Sequence, residues 1–103
     1  MPPITDAQVE AVRALIVAIP PGRVATYGDL AAATGLTSAR QVGWILRTDG
    51  ADLPWHRVIR ASGLPARHLG DEQLARLRAE GVLARDGRVD LAVYRWQPTG
   101  QTR

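Results

Sequence analysis

A chain of 103 residues, 46% hydrophobic and 22% charged, fits one small folded domain with a modest core. It contains no cysteine, which excludes disulfides, zinc fingers, iron–sulfur clusters and thiol nucleophiles, and no cofactor or metal is implied. The formal net charge is +3 and all thirteen basic residues are arginine. The absence of lysine removes Schiff-base chemistry, whereas the planar guanidinium fork suits phosphates and stacking. The nucleotide composition of the source genome accounts for such a bias equally well. An isoelectric point near 10.5 favours an anionic partner, DNA ahead of membrane. The opening Met1-Pro2-Pro3-Ile4-Thr5 is no signal peptide, and no apolar run is long enough to span a bilayer. A cytoplasmic protein is expected, associated with the nucleoid if the source is bacterial.

Thr5-Asp6-Ala7-Gln8 reads as a capping box, followed by Val9, Val12, Leu15, Ile16 and Ile19 at helical spacing. Pro20-Pro21-Gly22 stops that helix, and Arg23-Val24-Ala25 is a short extended link. Thr26 and Asp29 cap a second helix that ends at Gly35, a left-handed C′ candidate. Ser38 and Gln41 open a third over Ala39 to Arg47, with Val42, Ile45 and Leu46 turned inward. Helix, glycine-containing turn, helix is the helix-turn-helix pattern. Asp49-Gly50 is a turn, and Ala51 to Ile59, with Pro54, is expected to run extended beneath it. After the loop Ser62-Gly63-Leu64-Pro65, Asp71 caps a fourth helix bearing Leu74 and Leu77 and closing at Gly81. Asp86-Gly87 is a hairpin turn, Asp90 to Trp96 a last short helix, and Gln97 to Arg103 a polar tail.

The second helix of the pair is poorly equipped to read base edges. Val42, Gly43, Trp44 and Ile45 are mostly apolar, and only Arg40 and Gln41 stand where base contacts normally occur. A small-residue face with Gly43 fits a shallow minor groove better. Arg40, in the first turn, is either a phosphate contact or a planar cation inserted into the base stack. In Leu53-Pro54-Trp55-His56-Arg57-Val58-Ile59 the indole is neither nucleophile nor metal ligand, and a core Trp beside a satisfied His is the plainer reading.

That segment nevertheless resembles the DNA alkyltransferase motif Pro-Cys-His-Arg-Val with tryptophan in place of cysteine, which is the mark of the alkyltransferase-like proteins. Arg23-Val24-Ala25-Thr26-Tyr27-Gly28-Asp29-Leu30-Ala31 is similar to the family's Gly-x-Val-x-(Ser/Thr)-Tyr-Gly-(Asp/Glu)-(Leu/Ile)-Ala stretch. Ala39-Arg40-Gln41-Val42-Gly43 resembles its Ala-Arg-x-Val-Gly recognition helix, and Glu80-Gly81-Val82 and Tyr94-Arg95-Trp96 match its end. The resemblance implies a mainly α, winged-helix-like single domain over residues 1–103, with a helix-turn-helix and a short β wing, as in the C-terminal domain of DNA alkyltransferases.

It further implies binding of O6-alkylguanine in double-stranded DNA through the minor groove, with nucleotide flipping and without alkyl transfer, as a mark for nucleotide excision repair proteins. DNA contacts then fall to Thr26, Tyr27, Ser38, Ala39, Arg40, Gln41, Gly43 and Arg47, with Arg40 as the finger that fills the vacated stack. The lesion pocket is formed by Tyr27, Pro54, Trp55, Val58 and Arg67, with His68 and Arg60 as alternatives to Arg67 for stacking on the base. His56 and Arg57 are structural remnants of an active site. A monomer is expected, with no membrane partner. Two other readings stay open: a helix-turn-helix regulator indifferent to damage, and a hydrolase using His56 with Asp49 or Asp52.

Overall fold

The structure, a computed structural model, describes residues 3–98. Thr5 starts α1 (Asp6–Ala18) with both halves of the capping box in place: Gln8 N donates to Thr5 Oγ1, and Thr5 N to Gln8 Oε1, each at 3.0 Å. Val12, Ile16 and Ile19 are buried on its inner face, with Val9 and Leu15 packed beside them. Thr26 and Asp29 build the same box at the head of α2 (Tyr27–Thr34), and Gly35 ends that helix at φ 77°, where a Cβ is costly. α3 (Ala39–Asp49) follows, buries Val42 and Ile45 against α2, and completes the helix-turn-helix. It runs through Asp49, beyond the expected Arg47, because the Gly50 amide still donates to the Leu46 carbonyl at 3.0 Å.

The expected extended run from Ala51 to Ile59 is corrected. Trp55–Arg57 form a 3-10 turn, and only β2 (Val58–Ile59) is extended. β2 pairs in parallel with β1 (Ala25–Thr26), Ala25 facing Val58 and Thr26 facing Ile59. Alternation along these strands sends Ala25 and Val58 into a core with α1, α2 and α3. Val24 and Ile59 point into a second core with Leu77, Val82 and Val89.

Asp71 does not cap the next helix. α4 (Gly70–Ala79) begins two residues earlier than an Asp71 cap implies, with Leu69 at the N-cap and no side-chain cap, leaving Asp71 in the first turn, where its charge still suits the helix dipole. Gly81, at φ 91°, lets the chain leave α4. β3 (Ala84–Arg85) and β4 (Arg88–Val89) form the wing around Asp86 and Gly87, both with positive φ, as a type I′ turn requires. α5 (Leu91–Tyr94), capped by Asp90, returns the chain to the core edge, where Trp96 N donates to the Val24 carbonyl at 2.7 Å. The polar tail expected over Gln97 to Arg103 lies, from residue 99 on, outside the described residues. Among those described, no helix is long and apolar enough to cross a membrane.

Candidate nucleic-acid interface

The first turn of α2, one face of α3, the 3-10 turn and the loop before α4 surround a groove of about 1000 Å³. Tyr27 and Gly28 form one end, Ala39, Arg40, Gln41, Gly43, Trp44 and Arg47 the α3 side, and Trp55 the side made by the 3-10 turn. Arg60, Ala61, Ala66, Arg67, His68 and Leu69 supply the loop side. Tyr27, Trp55, Arg67 and the recognition-helix residues, distant in sequence, thus share one concavity.

The arginines divide by partner. Arg13, Arg57, Arg76 and Arg95 are each committed to carboxylates. Arg40, Arg47 and Arg67, all exposed at the groove, make no hydrogen bond or ion pair among the described residues. Arg60 is half-buried and donates through Nε to the Pro65 carbonyl at 3.0 Å. Burial pushes the Tyr27 hydroxyl above its usual pKa, against a smaller opposing effect of the Arg60 charge, so Tyr27 is a neutral phenol able to donate to an anion.

Several residues assigned from the sequence lie elsewhere. Val58 is fully buried in the first core, because β2 starts there and turns its side chain inward. Pro54 opens the 3-10 turn and does not line the groove. The Thr26 hydroxyl is spent on the Asp29 amide, and Thr26 is only 2% exposed. Gln41 reaches the groove but is equally buried, its amide oxygen accepting from Thr37 N, Thr37 Oγ1 and Ser38 N. Ser38 is half-buried outside the lining, whereas Ala39 and Gly43 line it.

Behind the groove, Glu80 gathers the remnant residues. Arg57 donates to it through Nε at 3.0 Å and Nη2 at 2.7 Å, and His56 Nε2 lies 2.8 Å from Oε2. These bonds, the Arg57 contacts foremost, hold the Glu80 carboxyl down to about 2. An ionised carboxylate only accepts, so His56 carries its proton on Nε2. Asp49 and Asp52, the partners considered for His56, instead bind Arg13, Asp52 at 2.7 Å.

Sequence reasoning missed Gln73, which is fully buried in α4. Its Nε2 donates to the carbonyls of His56 at 3.0 Å and Val58 at 2.7 Å, and its Oε1 accepts from Ala66 N at 2.7 Å. One side chain therefore ties together the 3-10 turn, β2 and the groove loop. A lone glutamine on a charged helix gives no sign of this; its i+4 neighbour Leu77, on the buried face, was the available hint.

Residues 7–82 match the model of the 6-O-methylguanine DNA methyltransferase DNA-binding domain. The chain belongs to that family. It is 42% identical over 97 residues to the DNA base-flipping protein of Escherichia coli K12, covering 88% of this chain and 75% of the relative. To alkyltransferase-like protein 1 of Schizosaccharomyces pombe it is 36% identical over 92 residues, covering 78% and 85%. The crystal structure of S. pombe Atl1 in complex with damaged DNA containing O6-carboxymethylguanine superposes with a TM-score of 0.81 at 31% identity, over 91% of this chain and 98% of that one. The chain is an alkyltransferase-like member of the methyltransferase family, with the mainly helical, winged architecture of its DNA-binding domain.

Proposed function

We propose that this protein binds O6-alkylguanine in duplex DNA, docks α3 in the minor groove, rotates the modified nucleotide into the groove beside Trp55, and transfers nothing. The carrying observation is the groove itself: three unpaired arginines stand around an apolar concavity walled by Tyr27 and Trp55. Guanidinium groups meet phosphates and stack on bases, while the indole offers a flat apolar face to an extruded purine. Likeness to proteins named for base flipping, and to one bound to damaged DNA, supports the same reading.

Arg40, exposed in the first turn of α3, replaces the extruded base in the stack. Flipping costs a few kcal/mol, offset by stacking in the groove and on this cation. Tyr27 presses on the phosphate beside the lesion, and Arg67 stacks on the alkylated base at about 0.5–2 kcal/mol. Trp55 stands where the resembling enzymes carry their alkyl-accepting cysteine. With no thiol in the chain the His56–Glu80 pair has no nucleophile to activate. The protein acts as a monomer, and the held, deformed duplex marks a small lesion for nucleotide excision repair proteins.

The test is binding to matched duplexes holding one guanine or one O6-methylguanine, at stated salt, with the recovered DNA then analysed. Much tighter binding to the modified duplex, with its methyl group retained, is expected. Equal binding would favour a helix-turn-helix regulator, and a lost methyl group would mean a reaction. Arg40→Ala is expected to weaken lesion binding more than about tenfold with the fold intact; unchanged affinity would remove its role as the probe.

A further inference from the structure

Trp55 is contacted by two side chains that have no part in the proposed DNA contacts. Arg76, on α4, places its guanidinium carbon 5.3 Å from the centre of the indole ring. That distance is within the range of a cation–π contact. The His56 ring meets the indole edge-on, at 6.3 Å and 89°. Arg76 is itself held one turn along the helix by Glu72, whose Oε2 accepts from Nε at 3.0 Å and from Nη2 at 2.8 Å. Both are half-exposed, so as an ion pair they add little stability. What the pair does supply is orientation: a two-point grip on the guanidinium fixes where the cation lies over the indole. Arg76 is absent from the groove lining while Trp55 is part of it. The indole is therefore bounded by the groove on one side and by a clamped cation of α4 on another.

We propose that Arg76, clamped by Glu72, is a positioning residue that locks the Trp55 indole as a rigid wall for the O6 substituent, and so sets lesion discrimination. The inference rests on the lesion-binding reading above. An indole freed from this cation can rotate about its own side-chain bonds, filling part of the groove or withdrawing from the substituent. Discrimination between alkylated and plain guanine then falls, because a wall that moves is not packed in advance against the alkyl group.

The experiment labels the tryptophans with 5-fluorotryptophan, assigns the Trp55 fluorine resonance by its loss in Trp55→Phe, and follows it in the free protein. Affinities for guanine and O6-methylguanine duplexes are measured on the same samples. In Arg76→Ala the Trp55 resonance is expected to shift and change width, and the affinity ratio between the duplexes to fall about fivefold. Glu72→Gln should move both readouts the same way by less, and Arg76→Lys should restore part of each. An unmoved Trp55 resonance would overturn the proposal whatever the DNA results. Equal weakening on both duplexes would also overturn it, since that is the signature of a phosphate contact. A native protein that does not discriminate would sink the lesion reading itself and this role with it, visibly apart from any effect of the variants.

Discussion

Glu80 is reached from three directions: by Arg57, by His56, and by the Gly22 amide at 3.2 Å. Its carboxyl is held down to about 2 from an ordinary 4.5. A group with a depressed folded-state pKa stabilises the fold fully above its unfolded value and loses that contribution as pH falls through the folded one. Acid destabilisation through Glu80 is thus confined to the window from about 4.5 down to about 2. Glu80→Gln is expected to cost about 1–3 kcal/mol at pH 7 and to flatten the decline below pH 4.5, read from denaturant midpoints across that range. A residual slope remains from Asp29 and Asp52. For Asp29, burial acts upward but is outweighed by Arg95 and the Thr26 amide; Asp52 is lowered chiefly by Arg13. Gln73 answers to a different measurement. Gln73→Leu leaves the His56 and Val58 carbonyls and the Ala66 amide without their partner, which should cost about 2–3 kcal/mol. The Ala66 amide should then exchange faster with solvent, even where the remainder of the molecule stays protected; unchanged exchange would show that the loop is held by other contacts.

Between elements, the contact most sensitive to a single atom is the one where the groove loop meets the wing. Gly63 sits at φ 85° and accepts from Val89 N at 2.8 Å, while Arg88 Nη1 donates to the Ser62 carbonyl at 2.6 Å. A Cβ at Gly63 would press into the Val89 carbonyl oxygen, so the wing must shift or detach. Gly63→Ala is expected to destabilise by about 2 kcal/mol or more in equilibrium unfolding, whereas Gly87→Ala, with open space around it, costs only its backbone strain. The helix starts at Thr5 and Thr26 were legible because a capping box is written within four residues, and the Asp86-Gly87 turn for the same reason. The start of α4 was not, since no side chain caps it and Asp71 imitates a cap from two positions beyond the true one. Nor was the pairing of β1 with β2. Each strand is two residues long, too short to show alternation, and the partners are brought together only by tertiary packing. The site followed the same rule. The surfaces that Tyr27, Trp55 and Arg67 present together came from the family motif, whereas the inward rotation of Val58 and the commitment of the Thr26 hydroxyl depend on backbone geometry that residue types do not state.

Over the whole molecule, a formal charge of +3 is small for a protein that is to hold a polyanion, and placement compensates for amount. The carboxylate-bound arginines are neutralised locally, whereas Arg40, Arg47 and Arg67 leave uncompensated positive charge at the groove. A logarithmic plot of affinity against salt should therefore be shallow, with a slope between about −2 and −4. Arg47→Ala should lower that slope in magnitude by about one and weaken binding to plain and alkylated duplexes alike. A loss confined to the alkylated duplex would instead assign Arg47 to the lesion.

The two-residue pairing of β1 with β2 divides the interior into two cores: Ala25 and Val58 face the first, while Ile59 and Val24, just before β1, face the second. The core beneath the helix-turn-helix is therefore closed only by residues that follow it, Leu53 and Val58. Cut after α3, the chain would keep every recognition-helix residue and lose Val58, leaving Ala25 and the inner faces of α1 and α2 open to water. The reading head is not a detachable module: it becomes a surface only once the ribbon behind it has been threaded.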